Sequence, residues 1–343
     1  MKLPADKVAQ LRPFYSGRAV LVTGGAGFIG GHLVDALMSL GAAVNVIDDL
    51  SNSGLDHLAG LIELEPDRIR FTHASVLDDE ALRDAAEGVR TVFHLAALGS
   101  VPRSVEAPQR TWSVNATGTV RVLEAARALG AERVVFAASS SAYGDQPELP
   151  KVETQPPRPM SPYAASKLAG EHLLATWSRT YGLSTVSLRY FNVFGPRQPA
   201  DSAYAGVVAA FAKALLNGNA PTIYGDGEQT RDMTYVSSAV LGTLLAGAAP
   251  ARLAGEAINI GTGRRVTVTE LAAMMARACA SPHLRASHLP ERAGDVKHSL
   301  ADIGLAKRVL GYEPIGSLED GIAETVEWFR REGLPAKRTE GQR

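Results

Sequence analysis

The feature that most constrains this chain is a glycine turn close to its N-terminus. An apolar segment over residues 19–23 leads into Gly24-x-x-Gly27-x-x-Gly30, a helical pattern follows, and Asp48 ends the next apolar segment. Glycines at this spacing let the backbone turn tightly and approach a pyrophosphate, whose charge is favoured at a helix N-terminus. A carboxylate at the tip of the following strand can accept hydrogen bonds from a ribose. The segment therefore predicts a dinucleotide site, and the acid favours NAD over NADP.

Apolar segments alternate with helical patterns through the first half of the chain. This alternation predicts an α/β fold, a doubly wound parallel sheet of the Rossmann type with helices on both faces. The predicted strands cover residues 19–23, 43–48, 69–72, 91–95, 133–138 and 185–190. The predicted helices between them cover residues 28–40, 79–86, 112–129 and 163–181.

After Tyr190 the alternation gives way to loops rich in proline, glycine and polar residues, with shorter elements between them. We expect helices near residues 205–216, 238–248, 269–280 and 318–331, and short strands near 222–224 and 257–260. Residues 1–190 are interpreted as an NAD-binding Rossmann domain with an N-terminal extension over 1–17. Residues 191–334 are interpreted as a smaller mixed α/β substrate domain whose boundary is interleaved, and residues 335–343 as a disordered tail.

Composition excludes several classes of protein. The 343 residues carry a formal net charge of −1, so no global field attracts nucleic acid or an anionic membrane. No apolar run approaches the roughly 18 residues of a membrane span, and the charged N-terminus does not read as a signal peptide. The single Cys279 excludes an intramolecular disulfide and favours a reducing compartment, hence a cytoplasmic protein. No cluster has metal-ligand spacing, and we predict no metal.

A tyrosine and a lysine are placed to do chemistry together. Tyr163 and Lys167 stand at i and i+4 behind Pro162, which suits a first helical turn, so both side chains share one helix face. A free phenol titrates near 10, and a base near neutrality needs a pKa lower by roughly three units, about 4 kcal/mol. A neighbouring ammonium, assisted by the positive ring of bound NAD⁺, can stabilise the phenolate by about that amount. The pattern alone also fits an exposed helix face.

A serine run strengthens the catalytic interpretation. Ser139, Ser140 and Ser141 follow a predicted strand, and the carboxyl end of such a strand borders the ligand crevice of an open α/β sheet. Ser139, Tyr163 and Lys167 then form a proton relay. The serine hydroxyl orients the reacting group, the tyrosine phenolate abstracts its proton, and the lysine ammonium lowers the phenol pKa.

Together these motifs resemble the extended short-chain dehydrogenase/reductase superfamily, specifically its NAD-dependent nucleotide-sugar epimerases. The resemblance extends from about Arg18 to Phe329. It rests on residues 23–30, 93–97, 115–119, the serine run, Tyr163-x-x-x-Lys167, 189–197, 225–232, 259–261 and 292–295. In the family's motif the catalytic Ser or Thr lies four positions before the Tyr of Tyr-Gly, which here is Ser139.

The resemblance implies a tightly bound NAD that is recycled in each turnover. The implied cofactor contacts are Gly24, Gly27, Phe28, Ile29, Gly30, Asp48, Asn52, Ser53, Ser75, Val76, Leu95, Ala96, Ala97, Asn115, Tyr163, Lys167 and Tyr190. One of these departs from the family. Many relatives carry an aspartate near the adenine amino group where this chain has Ser75. Adenine recognition there is expected to be weaker or hydroxyl-based.

The resemblance also implies a nucleotide-diphosphate-sugar substrate. The implied contacts are Ser140, Ser141, Asn192, Ala205, Val207, Tyr224, Arg231, Arg292, Asp295 and Ser299. Arg231 and Arg292 resemble the family's diphosphate-binding arginines, and a guanidinium fork can bond two phosphate oxygens at once. Ser299 matches a position beside the C2 substituent of the sugar, where a tyrosine excludes N-acetyl groups. The small serine predicts room for such a group.

The serine run also bears on the reaction. Dehydratases of this superfamily place Asp-Glu directly after the catalytic threonine, whereas this chain has Ser140-Ser141, so dehydration is disfavoured. The expected reaction is 4-epimerisation of a UDP-hexose, either UDP-GlcNAc/UDP-GalNAc, UDP-Glc/UDP-Gal, or both. A uronic-acid epimerase, a decarboxylase, a reductase and a non-catalytic NAD-binding scaffold stay open as alternatives. The helices over 112–129 and 163–181 correspond to a four-helix homodimer contact in relatives, although a pure core role also fits them.

Overall fold

The computed structural model describes residues 3–200, 206–291 and 296–332. Its strands are β1 (Ala19–Thr23), β2 (Ala43–Asp48), β3 (Ile69–His73), β4 (Thr91–His94), β5 (Arg133–Ser139), β6 (Ser184–Tyr190), β7 (Val193–Phe194), β8 (Thr222–Tyr224), β9 (Thr230–Arg231), β10 (Thr234–Tyr235), β11 (Ala254–Ile260), β12 (Val266–Thr267) and β13 (Ser287–Leu289). Its helices are α1 (Ala5–Tyr15), α2 (Phe28–Ser39), α3 (Asp56–Leu64), α4 (Asp79–Ala86), α5 (Val101–Glu106), α6 (Pro108–Trp112), α7 (Gly118–Ala128), α8 (Pro162–Tyr181), α9 (Val207–Leu216), α10 (Val236–Gly247), α11 (Val268–Ala278), α12 (Gly304–Leu310) and α13 (Leu318–Glu332).

Seven of the described strands form one sheet in the order β3-β2-β1-β4-β5-β6-β11, and every neighbouring pair is parallel. Successive residues of a strand point to opposite faces of the sheet. On β1, Val20 and Val22 therefore join the core beneath α2 and α10, whereas Leu21 joins the core beneath α4, α7 and α8. Helices cover both faces, and the predicted doubly wound α/β fold is confirmed.

A second core lies outside the sheet. Helices α9, α11 and α13 pack together through buried residues that include Phe211, Leu271 and Phe329. Cys279 is buried at the end of α11 beside this core. The intervening strand β11, which we expected in the substrate half, instead pairs in parallel with β6 as the edge of the main sheet. Its apolar residues indicate a strand, but the crossover from β6 is long and does not reveal the partner.

The structure adds detail to two of the segments predicted from the sequence. The predicted helix over 112–129 comprises the last residue of α6, a π-helical turn (Ser113–Thr117) and α7. The N-terminal extension contains α1, and its buried Tyr15 donates a hydrogen bond to the Leu244 carbonyl on α10 at 2.6 Å. Among the described helices, none is long and apolar enough to cross a membrane.

Candidate active site

The glycine turn joins β1 to α2, and two of its three motif glycines leave no room for a side chain. Gly24 has φ +71°, and a Cβ there would lie 2.7 Å from the Ala96 nitrogen. A Cβ on Gly30 would lie 2.1 Å from the Gly24 carbonyl oxygen. A Cβ on Gly27 would meet only that same oxygen, at 3.2 Å. Gly24 and Gly30 therefore close the turn, while Gly27 leaves its outer side open for close approach of a ligand.

The start of α2 is suited to an anion. This 12-residue helix has no side-chain cap and no acidic residue in its first turn, so its first amides and dipole are available to a negative group. Asp48 lies beside this turn, where its carboxylate accepts hydrogen bonds from the amides of Ala26 at 3.0 Å and Leu50 at 2.9 Å. Burial raises the pKa of Asp48. The turn and the acid together fit the pyrophosphate and ribose of a dinucleotide.

The loop after β4 is held against the glycine turn. The amides of Leu95 and Ala96 donate to the carbonyl and hydroxyl oxygens of Thr23, at 3.1 and 3.2 Å. The buried Asn115, in the π-helical turn, accepts a bond from the Leu98 amide at 2.8 Å and donates to the Ser166 hydroxyl at 3.0 Å. Asn115 therefore fixes this loop and α8 to each other.

The remaining predicted cofactor residues surround this centre. Ser53 lies 3.5 Å from the Asp48 carboxylate, and Asn52 accepts a hydrogen bond from Arg103. The Ser75 hydroxyl accepts from the Leu77 amide at 3.2 Å. The other positions are Phe28 and Ile29 in the first turn of α2, Val76 packed under Gly118, Ala97 in the loop after β4, and Tyr190 at the end of β6, whose hydroxyl bonds Thr243 at 2.6 Å.

The structure brings the three predicted catalytic side chains together. Ser139 ends β5, and its hydroxyl accepts from the Ser141 amide at 3.2 Å and the Ser141 hydroxyl at 2.9 Å. Tyr163 lies in the first turn of α8, half-buried and hydrogen-bonded to Ser139. One turn later, the Lys167 Nζ donates to the Ala137 carbonyl on β5 at 2.8 Å. Ser161 caps α8 by accepting from the Ala164 amide, so the helix start that positions Tyr163 is well defined.

The electrostatics of this cluster run against our expectation from the sequence. Lys167 is only 3 % exposed, and burial lowers its pKa to about 7. Its Nζ lies 4.8 Å from the centroid of the Phe136 ring. Burial raises the pKa of Tyr163, although its hydrogen bond with Ser139 acts in the opposite direction. Both shifts favour a neutral lysine and a protonated phenol, so Lys167 alone does not supply the lowered phenol pKa that the sequence led us to expect.

Two predicted substrate residues also meet, and a third lies close to them in the fold. The Asn192 amide donates to the Ser299 hydroxyl at 3.3 Å and to the Asp232 carbonyl at 3.0 Å. The guanidinium of Arg231, on the neighbouring strand β9, donates to the Lys297 carbonyl at 3.1 Å. Ser140 and Ser141 form a 3₁₀ turn after β5, Val207 begins α9 and Tyr224 ends β8. Ala205, Arg292 and Asp295 lie outside the described residues.

Sequence reasoning missed the residue that organises this region. The fully buried carboxylate of Asp232 accepts four hydrogen bonds, from the amide and hydroxyl of Thr262 and from the amides of Gly263 and Ala301. Asp232 directly follows Arg231 in the motif 225–232. That position was the one available signal, but the chain gives no sign of the donors, which lie far along the sequence.

A second such residue lies behind the serine turn. The Tyr143 hydroxyl donates to the Asn259 Oδ1 at 2.7 Å, and the Asn259 Nδ2 donates to the carbonyls of Lys151 and Asp302 at 2.8 and 3.1 Å. Asn259 thus connects the end of the serine turn to the substrate half. Among the described residues, no group of three or more His, Cys, Asp or Glu side chains could hold a metal ion.

Comparison with known proteins agrees with this geometry. Residues 20–261 match the model of the NAD dependent epimerase/dehydratase family. The UDP-glucose 4-epimerase of Mycolicibacterium smegmatis is 42% identical over 312 residues, which cover 90% of this chain and 98% of that protein.

Two solved structures are similar over nearly their whole length. One is the UDP-N-acetylglucosamine 4-epimerase from Methanobrevibacter ruminantium in complex with UDP-N-acetylmuramic acid. It is 37% identical with a TM-score of 0.86, and the match covers 92% of this chain and 99% of that one. The other is the Thermus thermophilus UDP-glucose 4-epimerase in complex with NAD. It is also 37% identical, with a TM-score of 0.81 and coverage of 91% and 99%.

Proposed function

Because the chain belongs to the NAD dependent epimerase/dehydratase family and is a nucleotide-sugar 4-epimerase, an isomerase, we propose that it acts on UDP-hexoses. Its proposed substrate pair is UDP-GlcNAc and UDP-GalNAc, with UDP-Glc and UDP-Gal as a second pair. The observation that carries 4-epimerisation is the serine turn. Ser140 and Ser141 follow Ser139 beside Tyr163, so the turn holds no carboxyl group that could eliminate water from the sugar.

NAD is the cofactor, and it supplies a hydride acceptor and donor at C4 of the sugar. The chain's own residues handle the proton. Tyr163, as phenolate, takes the proton of the 4-hydroxyl, while the Ser139 hydroxyl orients the 4-oxygen. Lys167, one helical turn along, would add positive charge beside the phenolate in its protonated form, and the positive ring of the oxidised cofactor would add the rest. The resulting 4-keto sugar rotates so that its opposite face receives the hydride. Tyr163 then returns the proton to the 4-oxygen, and the reaction is complete without net oxidation.

The preference for N-acetylated sugars is supported by Ser299. This residue is buried beside Asn192, and its side chain is much shorter than that of a tyrosine. The similar UDP-N-acetylglucosamine 4-epimerase supports the same substrate class.

The proposal is tested by NMR of the purified protein without added cofactor. UDP-GlcNAc, UDP-Glc and UDP-glucuronate are supplied separately, and the spectra are followed for the 4-epimer of each. We expect UDP-GalNAc from the first sugar, with Tyr163→Phe as a control that lacks the base. If none of the three sugars is converted, the proposal fails.

Ser299→Tyr tests the substrate class separately. A tyrosine ring at this position fills the space assigned to the C2 substituent, so we expect a selective loss, on the order of 100-fold, for UDP-GlcNAc relative to UDP-Glc. Ser299→Ala is the matched control, because it removes the hydroxyl and keeps the volume open. Equal losses on both sugars with Ser299→Tyr would contradict the assignment.

A homodimer is part of the proposal. Val105 on α5, Trp112 on α6 and Tyr181 at the end of α8 are large apolar side chains that are 64%, 50% and 50% exposed. α5 and α6 both pack against α8, so these residues lie on one group of helices. Sedimentation at micromolar concentration tests it, and a monomer there would contradict the dimer. A cytoplasmic location also stays a prediction.

A further inference from the structure

A short segment connects the substrate residues to the cofactor helix. This strap, residues 192–197, begins after the end of β6 and includes β7. Strand β7 pairs in parallel with β10. Two of its non-glycine residues have positive φ, Asn192 at 32° and Arg197 at 67°. Such backbone is unfavourable for a residue with a side chain and persists where the surroundings hold it in place. The strap is therefore fixed at both ends against an unfavourable local conformation.

The substrate end of the strap is Asn192. Its amide nitrogen reaches both the Asp232 carbonyl and the Ser299 hydroxyl, at 3.0 and 3.3 Å. Any shift of the strap therefore moves the side chain that we assign to the substrate.

The other end is fastened to α2. The carbonyl of Pro196 accepts a hydrogen bond from the His32 ring at 3.0 Å, and the Arg197 guanidinium lies 2.8 Å from the Asp35 carboxylate. His32 and Asp35 are three residues apart on α2, so they occupy one face of that helix. The side chains of Arg197 and Asp35 are 26% and 23% exposed, so water screens this pair less than a surface pair.

The histidine works as a neutral donor. His32 is 3 % exposed, and burial, together with the nearby Arg197 and His57 of α3, lowers its pKa to about 4. Its Nε2, the nitrogen that faces Pro196, then carries the proton, and the fastening does not depend on pH near neutrality. Asp35, beside Arg197, is the acidic group at this contact.

We propose that His32, Asp35 and Arg197 are positioning residues through which the cofactor helix sets the affinity for the nucleotide sugar. The ion pair and the hydrogen bond hold the strap, and the strap holds Asn192 where the substrate binds. The inference rests on the proposed function, since Asn192 is a substrate residue only there.

The test is calorimetric binding of UDP to the purified, NAD-containing protein. Asp35→Asn removes the charge and keeps the shape, and we expect UDP to bind about fivefold to tenfold more weakly. Arg197→Gln should have the same effect, and the double variant no larger one, because either change already breaks the pair. Reversing the pair, with Asp35→Arg and Arg197→Asp together, should restore UDP affinity to within about twofold of the wild type.

A matched control lies in the same half of the molecule. Asp84 pairs with Arg70 between α4 and β3, away from the strap, and Asp84→Asn should leave UDP affinity unchanged. In the strap variants, the KM for the sugar should rise, whereas kcat should stay within about twofold of the wild-type value. The bound NAD content should match that of the wild type.

Three results would overturn the inference. Wild-type UDP affinity in both Asp35→Asn and Arg197→Gln would show that the strap does not position the substrate. Loss of NAD content and kcat in parallel with UDP affinity, without recovery in the reversed pair, would show general loosening. Absence of UDP binding to the wild type would remove the proposed function as well, which separates that failure from the first two.

Discussion

The cofactor half and the substrate half build their sites in opposite ways. The glycine turn, the start of α2 and Asp48 lie in one stretch of chain, and their bonds join near neighbours such as Ala26 and Asp48. Asn192 and Ser299, by contrast, are 107 positions apart and meet only in the folded protein. The cofactor site is therefore formed largely by one contiguous motif, whereas the substrate site depends on contacts between residues far apart in the sequence.

Two buried charges extend the contrast. Lys167 has one described hydrogen-bond acceptor, the Ala137 carbonyl, and no carboxylate causes its pKa shift. Asp232 receives four hydrogen bonds. A buried charge left without an opposite charge is costly and marks a place for chemistry, whereas a fully satisfied one holds a scaffold together.

Gly30→Ala should weaken NAD binding in the cofactor half, and this is the largest effect that we predict. The added Cβ would lie 2.1 Å from the Gly24 carbonyl, so the turn has to open. We expect NAD binding weaker on the order of 100-fold, about 3 kcal/mol, with a matching loss of epimerase activity. Helix propensity alone predicts the opposite, since alanine favours a helix.

Gly60→Ala is the control for this substitution. Gly60 lies inside α3, where an added Cβ meets nothing within 4 Å. NAD content measured on the purified proteins should fall only in Gly30→Ala, and full NAD content there would show that the turn is more tolerant than its geometry indicates.

Lys167→Met tests the cost of the unpaired charge. Burial lowers the pKa of Lys167 to about 7, so between pH 7 and 10 the unfolded chain holds a proton that the folded chain has released. Stability of the wild type should therefore rise with pH relative to Lys167→Met, by at most about 1.4 kcal/mol per pH unit. Below pH 7 the variant should be the more stable protein.

The measurement is denaturant unfolding of the NAD-free proteins across this pH range. Lys307→Met serves as the control, because that side chain is exposed on α12. A stability difference that does not change with pH between 7 and 10 would show that the folded protein keeps Lys167 charged across this range, with its pKa unshifted.

The fold could be predicted from the sequence wherever its signals are local. The strands of the first half differ from the predicted bounds by a residue at most, since continuous apolar segments between turns indicate buried parallel strands. β11 was assigned to the wrong half because its partner β6 lies far back along the chain. The π-helical turn before α7 was missed because its residues fit a regular helix equally well.

The same limit applies to the candidate site. Ser139, Tyr163 and Lys167 were predicted as a cluster, and the structure joins them, because a strand end and an i, i+4 pair are both local patterns. Asp232 and Asn259 were not predicted as organising residues. Their hydrogen-bond partners come from segments that only the folded chain brings close.

Substitution of Ser75 should produce the smallest predicted change in NAD affinity. Its hydroxyl accepts a bond from the Leu77 amide, an acceptor role that an aspartate side chain also fulfils in a turn. Ser75→Asp introduces the carboxylate that the family resemblance predicts near adenine, so we expect NAD to bind about threefold more tightly. UDP affinity should stay unchanged, because the substrate residues belong to other segments. Fluorescence titration of both ligands, with Ser75→Ala as control, decides it: weaker NAD binding in Ser75→Asp than in Ser75→Ala would place adenine elsewhere.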